Sequence, residues 1–404
     1  MRIFVSLCFC LLFVSRAAWG QESAALLESQ VKELRQVVME LKGVVEKQQA
    51  EIELLKRTEK VRLPEPSPRP SAPAVVSTLG RWNPDIGVLA DTVLKLDSPR
   101  EDAEGADRLS VREVEIVFGS PVDPYSRLDA VLDFSDFEEA ALDEAYLTRF
   151  ELPFDMTARV GRFRPKIGKI NAYHRDSLET VDEPLVIDRY FGHEGYSRSG
   201  VDLKKLLEVP SPMTHELVFG VLEGGVGEGG TAFPGARRRP TFYSHLKNYV
   251  DFSEVTNLEV GLTHLAGSKD ADRRLEVQML GLDAVWMHHF TSRHRLKLQG
   301  EAFYMNREES VDGTLWGGYG LVDFRLHPLW AMGFRFDLVE LVDNPVTNPH
   351  KADTGYTGYL TFYQTEFARW RAQFSHFDLA TGKDDNQVLL QGTFAIGEHK
   401  HKLQ

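Results

Sequence analysis

A chain of 404 residues with 60 acidic against 47 basic side chains carries a formal net charge of -13, which excludes the concentrated basic surface that nucleic-acid binding demands. Hydrophobic residues make up 42%, a proportion shared by soluble domains and by membrane barrels whose strands turn one face to water. No apolar run beyond the N-terminal segment reaches the ~18–20 residues of a spanning helix, so helical membrane crossing is excluded too.

Residues 1–20 read as a secretory signal. Arg2 supplies the positive start, Ile3–Val14 the apolar stretch and Ala18-Trp19-Gly20 a small-x-small cleavage site. Cys8 and Cys10 fall inside the apolar stretch, not where a lipid-anchoring cysteine stands, so the processed chain is expected to lack cysteine and lipid. Residues 21–62 then carry a helical heptad. Leu27, Leu34, Leu41, Gln48 and Leu55 take the d positions; Val31, Val38, Val45 and Ile52 take a, the pattern of a coiled coil. The alternative is one amphipathic helix lying on a barrel rim. Branched residues at a with Leu at d favour a dimer, Gln48 weakens that preference, and the oligomer number stays open. Residues 63–80 form a Pro-rich linker; its stretch 63–74 is a polyproline spacer with a reach of roughly 35 Å.

Residues 81–404 are expected to form an all-β transmembrane barrel of about 16 antiparallel strands. The expected strands are 84–97, 108–119, 125–135, 141–152, 155–164, 198–209, 213–222, 241–252, 256–266, 274–290, 294–307, 312–326, 329–342, 354–367, 369–379 and 387–397. Short connections such as Leu152–Asp155 and His327–Leu329 alternate with long ones such as Pro165–Ser197 and Glu223–Pro240. That alternation is the habit of an outer-membrane barrel, with short periplasmic turns and longer outer loops. An even strand count returns both ends of the barrel to the short-turn side.

The faces follow from the period of two. Leu298, Tyr304, Met332, Phe334, Phe336 and Leu128 alternate with Lys297, Gln299, Glu301, Arg335, Asp337, Asp129 and Asp133. A charge facing lipid at mid-depth costs about 2–4 kcal/mol, so the charged set faces the lumen. Strand 141–152 is ambiguous, because either register puts a charge on the lipid side. Trp82, Trp286, Trp316, Trp330, Tyr359 and Trp370 are expected to form interfacial girdles.

Several motifs carry a family resemblance. They are the run from Leu109 to Ile116 with Asp123-Pro124-Tyr125, Gly161-Arg162-Phe163-Arg164 with Gly168-Lys169-Ile170-Asn171 and His174, and Gln391 to Gly397. Over most of 83–401 the chain resembles the phosphate-selective porins and relatives often labelled zinc-regulated TonB-dependent receptors. The resemblance implies a sixteen-stranded barrel, trimeric in the phosphate porins, whose third outer loop folds into the pore. The receptor label fits poorly, since such receptors need a plug and 22 strands. The chain also ends without the terminal aromatic usual in outer-membrane barrels. The third loop is Pro165–Ser197, read either as a constriction or as an external lid.

The expected pore-lining and constriction residues are Arg159, Arg164, Lys166, Lys169, Lys297, Glu301, Arg335, Asp337, Glu113 and Glu115. Basic and acidic lumen residues are mixed, so strong anion selectivity does not follow. Arg237-Arg238-Arg239 is expected to meet lipopolysaccharide phosphate or solvent. Glu398, His399 and His401 offer too few ligands for a metal site, and no metal, cofactor or catalytic group is expected. The function expected is an outer-membrane porin-like channel for passive diffusion of small hydrophilic solutes. The alternative is a membrane anchor whose coiled coil couples to peptidoglycan or a periplasmic partner.

Overall fold

The computed structural model of the chain describes residues 42, 84–98, 108–135, 140–226, 230–233, 239–270, 275–308, 313–342, 352–382 and 384–397. Apart from Lys42, the expected signal, coiled coil and linker lie outside the described residues, as do Arg237, Arg238, His399 and His401. The barrel belongs to a compact unit, Ser77–Gln404.

Sixteen strands follow in chain order: β1 (Asp85–Ser98), β2 (Arg108–Asp123), β3 (Ser126–Phe134), β4 (Ala141–Leu152), β5 (Met156–Phe163), β6 (Arg198–Leu207), β7 (Thr214–Leu222) and β8 (Thr241–Ser253). The second half comprises β9 (Thr256–Ser268), β10 (Glu276–His289), β11 (Arg295–Arg307), β12 (Thr314–His327), β13 (Trp330–Glu340), β14 (Ala352–Thr365), β15 (Ala368–Asp378) and β16 (Asp384–Gly397). Each pairs antiparallel with its chain neighbours, and β1 closes on β16. The turns at one end are tight, for example Pro124-Tyr125 and Glu366-Phe367, and the termini of β1 and β16 lie at that end.

The period of two sorts the side chains. Outward residues are apolar and exposed: Phe334 is 48% exposed and Tyr304 49%. Inward residues on the same strands are polar and covered, with Asp337 at 0% and Glu301 at 3%. The short-turn end carries an exposed aromatic on several turns or their flanks, among them Tyr125, Phe154, Phe290 and Phe367. Trp316, Trp330 and Trp370 also point outward. Tyr359 does not join them. It faces inward and donates to Asp323 Oδ2 at 3.0 Å. It lies over Gly333 on β13, where a Cβ would come within 2.3 Å of the phenol oxygen.

Three strand details depart from uniform alternation. β2 runs on through Pro121 to Asp123 because the pairing with β3 shifts between those residues, and an irregularity tolerates a residue without an N–H. Between β1 and β2 the register slips at Arg112, and between β3 and β4 it slips at Asp143. A bulge gives two successive residues the same face. Arg112 with Glu113 and Asp143 with Glu144 therefore all reach the interior, which resolves the ambiguity of β4.

Candidate functional site

The segment Arg164–Ser197 links β5 to β6 and lies inside the barrel, hydrogen-bonded to inward side chains of strands on several sides. Its neck is closed by Asn171, whose Nδ2 donates to Pro165 O (2.9 Å) and Tyr196 O (3.0 Å) while Oδ1 accepts from Tyr196 N (2.6 Å). One side-chain amide thus replaces a strand pairing at the point where the chain leaves and re-enters the wall.

From the neck the loop descends along β7 to β11. Lys166 Nζ meets Glu216 Oε1 at 2.5 Å and Lys169 Nζ meets Glu259 Oε1 at 2.6 Å. Gly168 N donates to Thr263 Oγ1 at 2.9 Å and Ile170 N to Glu301 Oε1 at 2.8 Å. Tyr319 OH donates to the same Glu301 oxygen. Gly168 has φ +59, and a Cβ there would lie 2.0 Å from Glu301 Oε2. Gly168→Ala is accordingly expected to cost about 1–3 kcal/mol of backbone strain before any clash, read as a lowered thermal unfolding midpoint.

The loop then crosses to β2 and β4. His174 places Nδ1 2.9 Å from Glu115 Oε1 and Nε2 3.3 Å from Glu144 Oε2. Burial opposes charge on this imidazole, yet the Glu115 carboxylate and the two hydrogen bonds outweigh it and hold the pKa well above its usual value. Arg164 packs beside it, with Nε on Asp143 Oδ2 at 3.1 Å and a second bond to Glu194 O.

Three wall arginines grip the next stretch. Arg112 on β2 donates to Val181 O at 2.7 Å. Arg371 on β15 donates to Leu178 O and Thr180 O, both at 2.8 Å. Arg335 on β13 reaches Thr180 Oγ1 and Asp182 O while its Nε bonds Asp337 Oδ2 at 2.7 Å. Lys297 on β11 pairs with Glu179. These cations are spent on loop carbonyls and carboxylates rather than left facing water.

A short helix, Leu185–Phe191, ends the crossing. Its Leu185, Val186, Ile187, Tyr190 and Phe191 join Phe233 and inward residues such as Tyr243, Leu265, Met279 and Phe303 in one apolar core. All these wall residues lie in the half of the barrel nearer the long loops, so that half is packed on the β7–β14 side. Opposite, between the loop and β1, β2, β15 and β16, lies a cavity of about 560 Å³.

The ten residues expected at the pore fall into distinct settings. Arg335, Asp337, Lys297, Glu301, Glu115 and Arg164 are buried and hold the loop. Glu113 is buried beside them. Arg159 is bound to Asp202 through Nη2 at 2.5 Å and lies over the Phe163 ring, which makes it a wall residue. Lys166 and Lys169 keep partial exposure. Sequence reasoning missed Arg112, Asp143 and Glu144 as loop holders. The available signal was the pair of adjacent charges within an alternating strand, the mark of a bulge. Among the described residues no cluster of three His, Cys, Asp or Glu could hold a metal ion.

No family model matches the chain. An uncharacterized protein of Aquifex aeolicus is 27% identical over 321 residues, covering 70% of this chain and 68% of the relative. Solved structures share the architecture at low identity. The outer membrane channel DcaP of Acinetobacter baumannii superposes with a TM-score of 0.52 and 13% identity, covering 78% of this chain and 96% of that one. An anion-selective porin from Comamonas acidovorans gives a TM-score of 0.54 at 10% identity, covering 78% and 99%. OmpT of Vibrio cholerae in its trimer form gives 0.52 at 10% identity, again covering 78% and 99%. The fold is the porin fold. Those neighbours are a fold match and do not carry the phosphate-selective or receptor labels across.

Proposed function

We propose that the chain is an outer-membrane porin-like channel that passes small hydrophilic solutes by diffusion, narrowed by the loop Arg164–Ser197. The observation that carries this reading is the inside-out distribution of side chains in a closed barrel, with an exposed apolar outer band around a charged inner wall. Such a wall suits a water-filled passage, and such a band suits lipid, with lipopolysaccharide meeting the outer loops. The fold neighbours named as channels and porins support it, and the neighbour in trimer form supports a homo-oligomer. Planar-bilayer recordings of the purified full-length protein test it; folded protein that never conducts would sink the channel.

Ion preference is weak in this reading, because wall arginines such as Arg112, Arg335 and Arg371 are occupied by the loop. An accessible basic group is formed by Lys166, Lys204 and Lys247, which surround Glu216, with Lys247 registered opposite it. Burial first, then the neighbouring lysines, holds Lys166 below the ordinary lysine value despite its bond to Glu216. The double change Lys166→Glu, Lys247→Glu is expected to move the reversal potential in a KCl gradient toward the cation value by tens of millivolts. An unmoved potential would place these lysines off the conduction path.

The loop core across the β7–β14 side favours a second reading: a largely filled barrel that anchors the heptad segment for contact with peptidoglycan or a periplasmic protein. Deleting residues 22–60 separates the two. Conductance survives the deletion in a channel, whereas envelope coupling is lost in an anchor.

A further inference from the structure

The cavity between the loop and β1, β2, β15 and β16 combines two features that the conduction argument does not use. One wall is apolar, formed by Val93, Val181, Leu185, Phe377, Leu379 and Leu389. Beside it stand Arg175 and Glu183, an opposite-charged pair of loop residues that also line the space. Their pairing is loose: Arg175 Nε lies 4.0 Å from Glu183 Oε1 and its Nη1 lies 3.8 Å from Glu194 Oε1, both beyond hydrogen-bond reach. Only Nη2 is engaged, on His193 O at 2.7 Å. Glu183 is 8% exposed, and its Oε2 has no hydrogen-bond partner. A buried carboxylate oxygen without a donor is costly unless something supplies one.

We propose that this cavity is a binding station for a zwitterionic solute with an apolar side group, an amino acid of the leucine type. Its carboxylate lies on Arg175, its ammonium on the Glu183 carboxylate, and its side group on Val181, Leu185 and Leu389. The inference rests on the channel reading and names the solute class that uses it. The volume of about 560 Å³ falls within the range of about 300–1,000 Å³ of small-molecule sites. Lys95, Arg112 and Arg189 also line the space, but they are paired with Asp97, Asp91 and Asp188, and Asp182 and Asp385 stand among them, so inorganic phosphate finds no unbalanced cationic cluster there. Burial, with Asp188 and Glu194 nearby, pushes the Glu183 carboxyl up to about 7, and an ammonium beside it favours the ionised form. A zwitterion answers both halves of the pair, and its charged groups keep the shorter hydrogen bonds of ionic partners.

The test uses the full-length protein in planar bilayers. L-leucine is expected to reduce the KCl current in a saturable manner, at concentrations about tenfold lower than acetate or propylamine, each of which supplies one charge, as expected where charge-assisted bonds act together. L-serine blocks less well than L-leucine, and inorganic phosphate does not block at all. Equal block by leucine and acetate, or stronger block by phosphate, overturns the zwitterion class while leaving the channel intact. If no current is seen, the channel reading has failed on its own, and calorimetric titration of detergent-solubilised protein with L-leucine still decides the station: heat of binding supports it, and none overturns it. Glu183→Gln abolishes the leucine preference relative to that variant's own current, with folding checked by circular dichroism.

Discussion

Replacing Arg335 with alanine is expected to release the loop inside the barrel, raising single-channel conductance and opening the loop to trypsin at Arg175 and Arg189. Arg335 is 1% exposed, and its guanidinium ties Asp337 on its own strand to Thr180 and Asp182 on the loop. Asp337 in turn accepts from Leu185 N at 3.1 Å, at the start of the loop helix. Removing the cation strands a buried carboxylate and several loop acceptors together. Breaking a buried pair in this way costs about 3–5 kcal/mol. Arg335→Lys restores the charge but not the fork that serves three acceptors, so it falls between wild type and alanine. A variant that conducts and resists trypsin as wild type does would show that the loop is held elsewhere.

His174→Ala is expected to detach the loop from β2 and β4, again at about 3–5 kcal/mol, because Glu115, Asp143 and Glu144 then share one buried corner with fewer cations. The wild type carries a pH dependence of defined sign. The docked imidazole has a pKa raised well above 6.5, the ordinary value it regains when the loop leaves. Its stabilisation is therefore complete below pH 6.5 and is lost as pH rises through the docked value. Trypsin sensitivity of the loop should grow with alkalinity in the wild type and lose that dependence in His174→Ala. A flat profile in the wild type would remove His174 as the cation of the clasp.

The strands were legible because their signals are local. Alternation of Phe334, Arg335, Phe336 and Asp337 depends only on the pleat, and turns such as Pro124-Tyr125 announce themselves. β16 begins at Asp384, before the expected 387, because pairing with β15 carries the ladder on past its apolar run to Asp378. The inward face of Tyr359 was open to the same reading, since Thr357 and Thr361 share its parity while Tyr356 and Leu360 take the other; only its packing over Gly333, a cross-strand neighbour, lies beyond any linear pattern. The ion-pairing of the interior was the least legible part. Whether Arg371 faces water or a carbonyl is decided by the path of a loop far away in the chain. The bulges at Arg112 and Asp143 lie between these cases, visible as adjacent charges yet readable only once the partner strand is known.

Arg112 grips the loop on one side, and Arg371 and Gln373, whose Oε1 accepts from Val181 N at 2.7 Å, grip it on the other; this double grip has a mechanical consequence. β1 and β16 meet along a seam whose side-chain bonds join residues 300 apart in sequence, such as Gln391 to Asp91. Seams of that separation are the slowest contacts to form, because the whole intervening chain must be ordered first. Residues 178–182 hold β2 and β15, the strands flanking that seam, from within. Lateral splitting of the cylinder therefore requires the internal strap to be torn from one flank before the strands can part. The segment held inside the barrel also sets how slowly the barrel comes apart, and variants that free it should shorten the lifetime of the folded state in denaturant more than they slow its assembly.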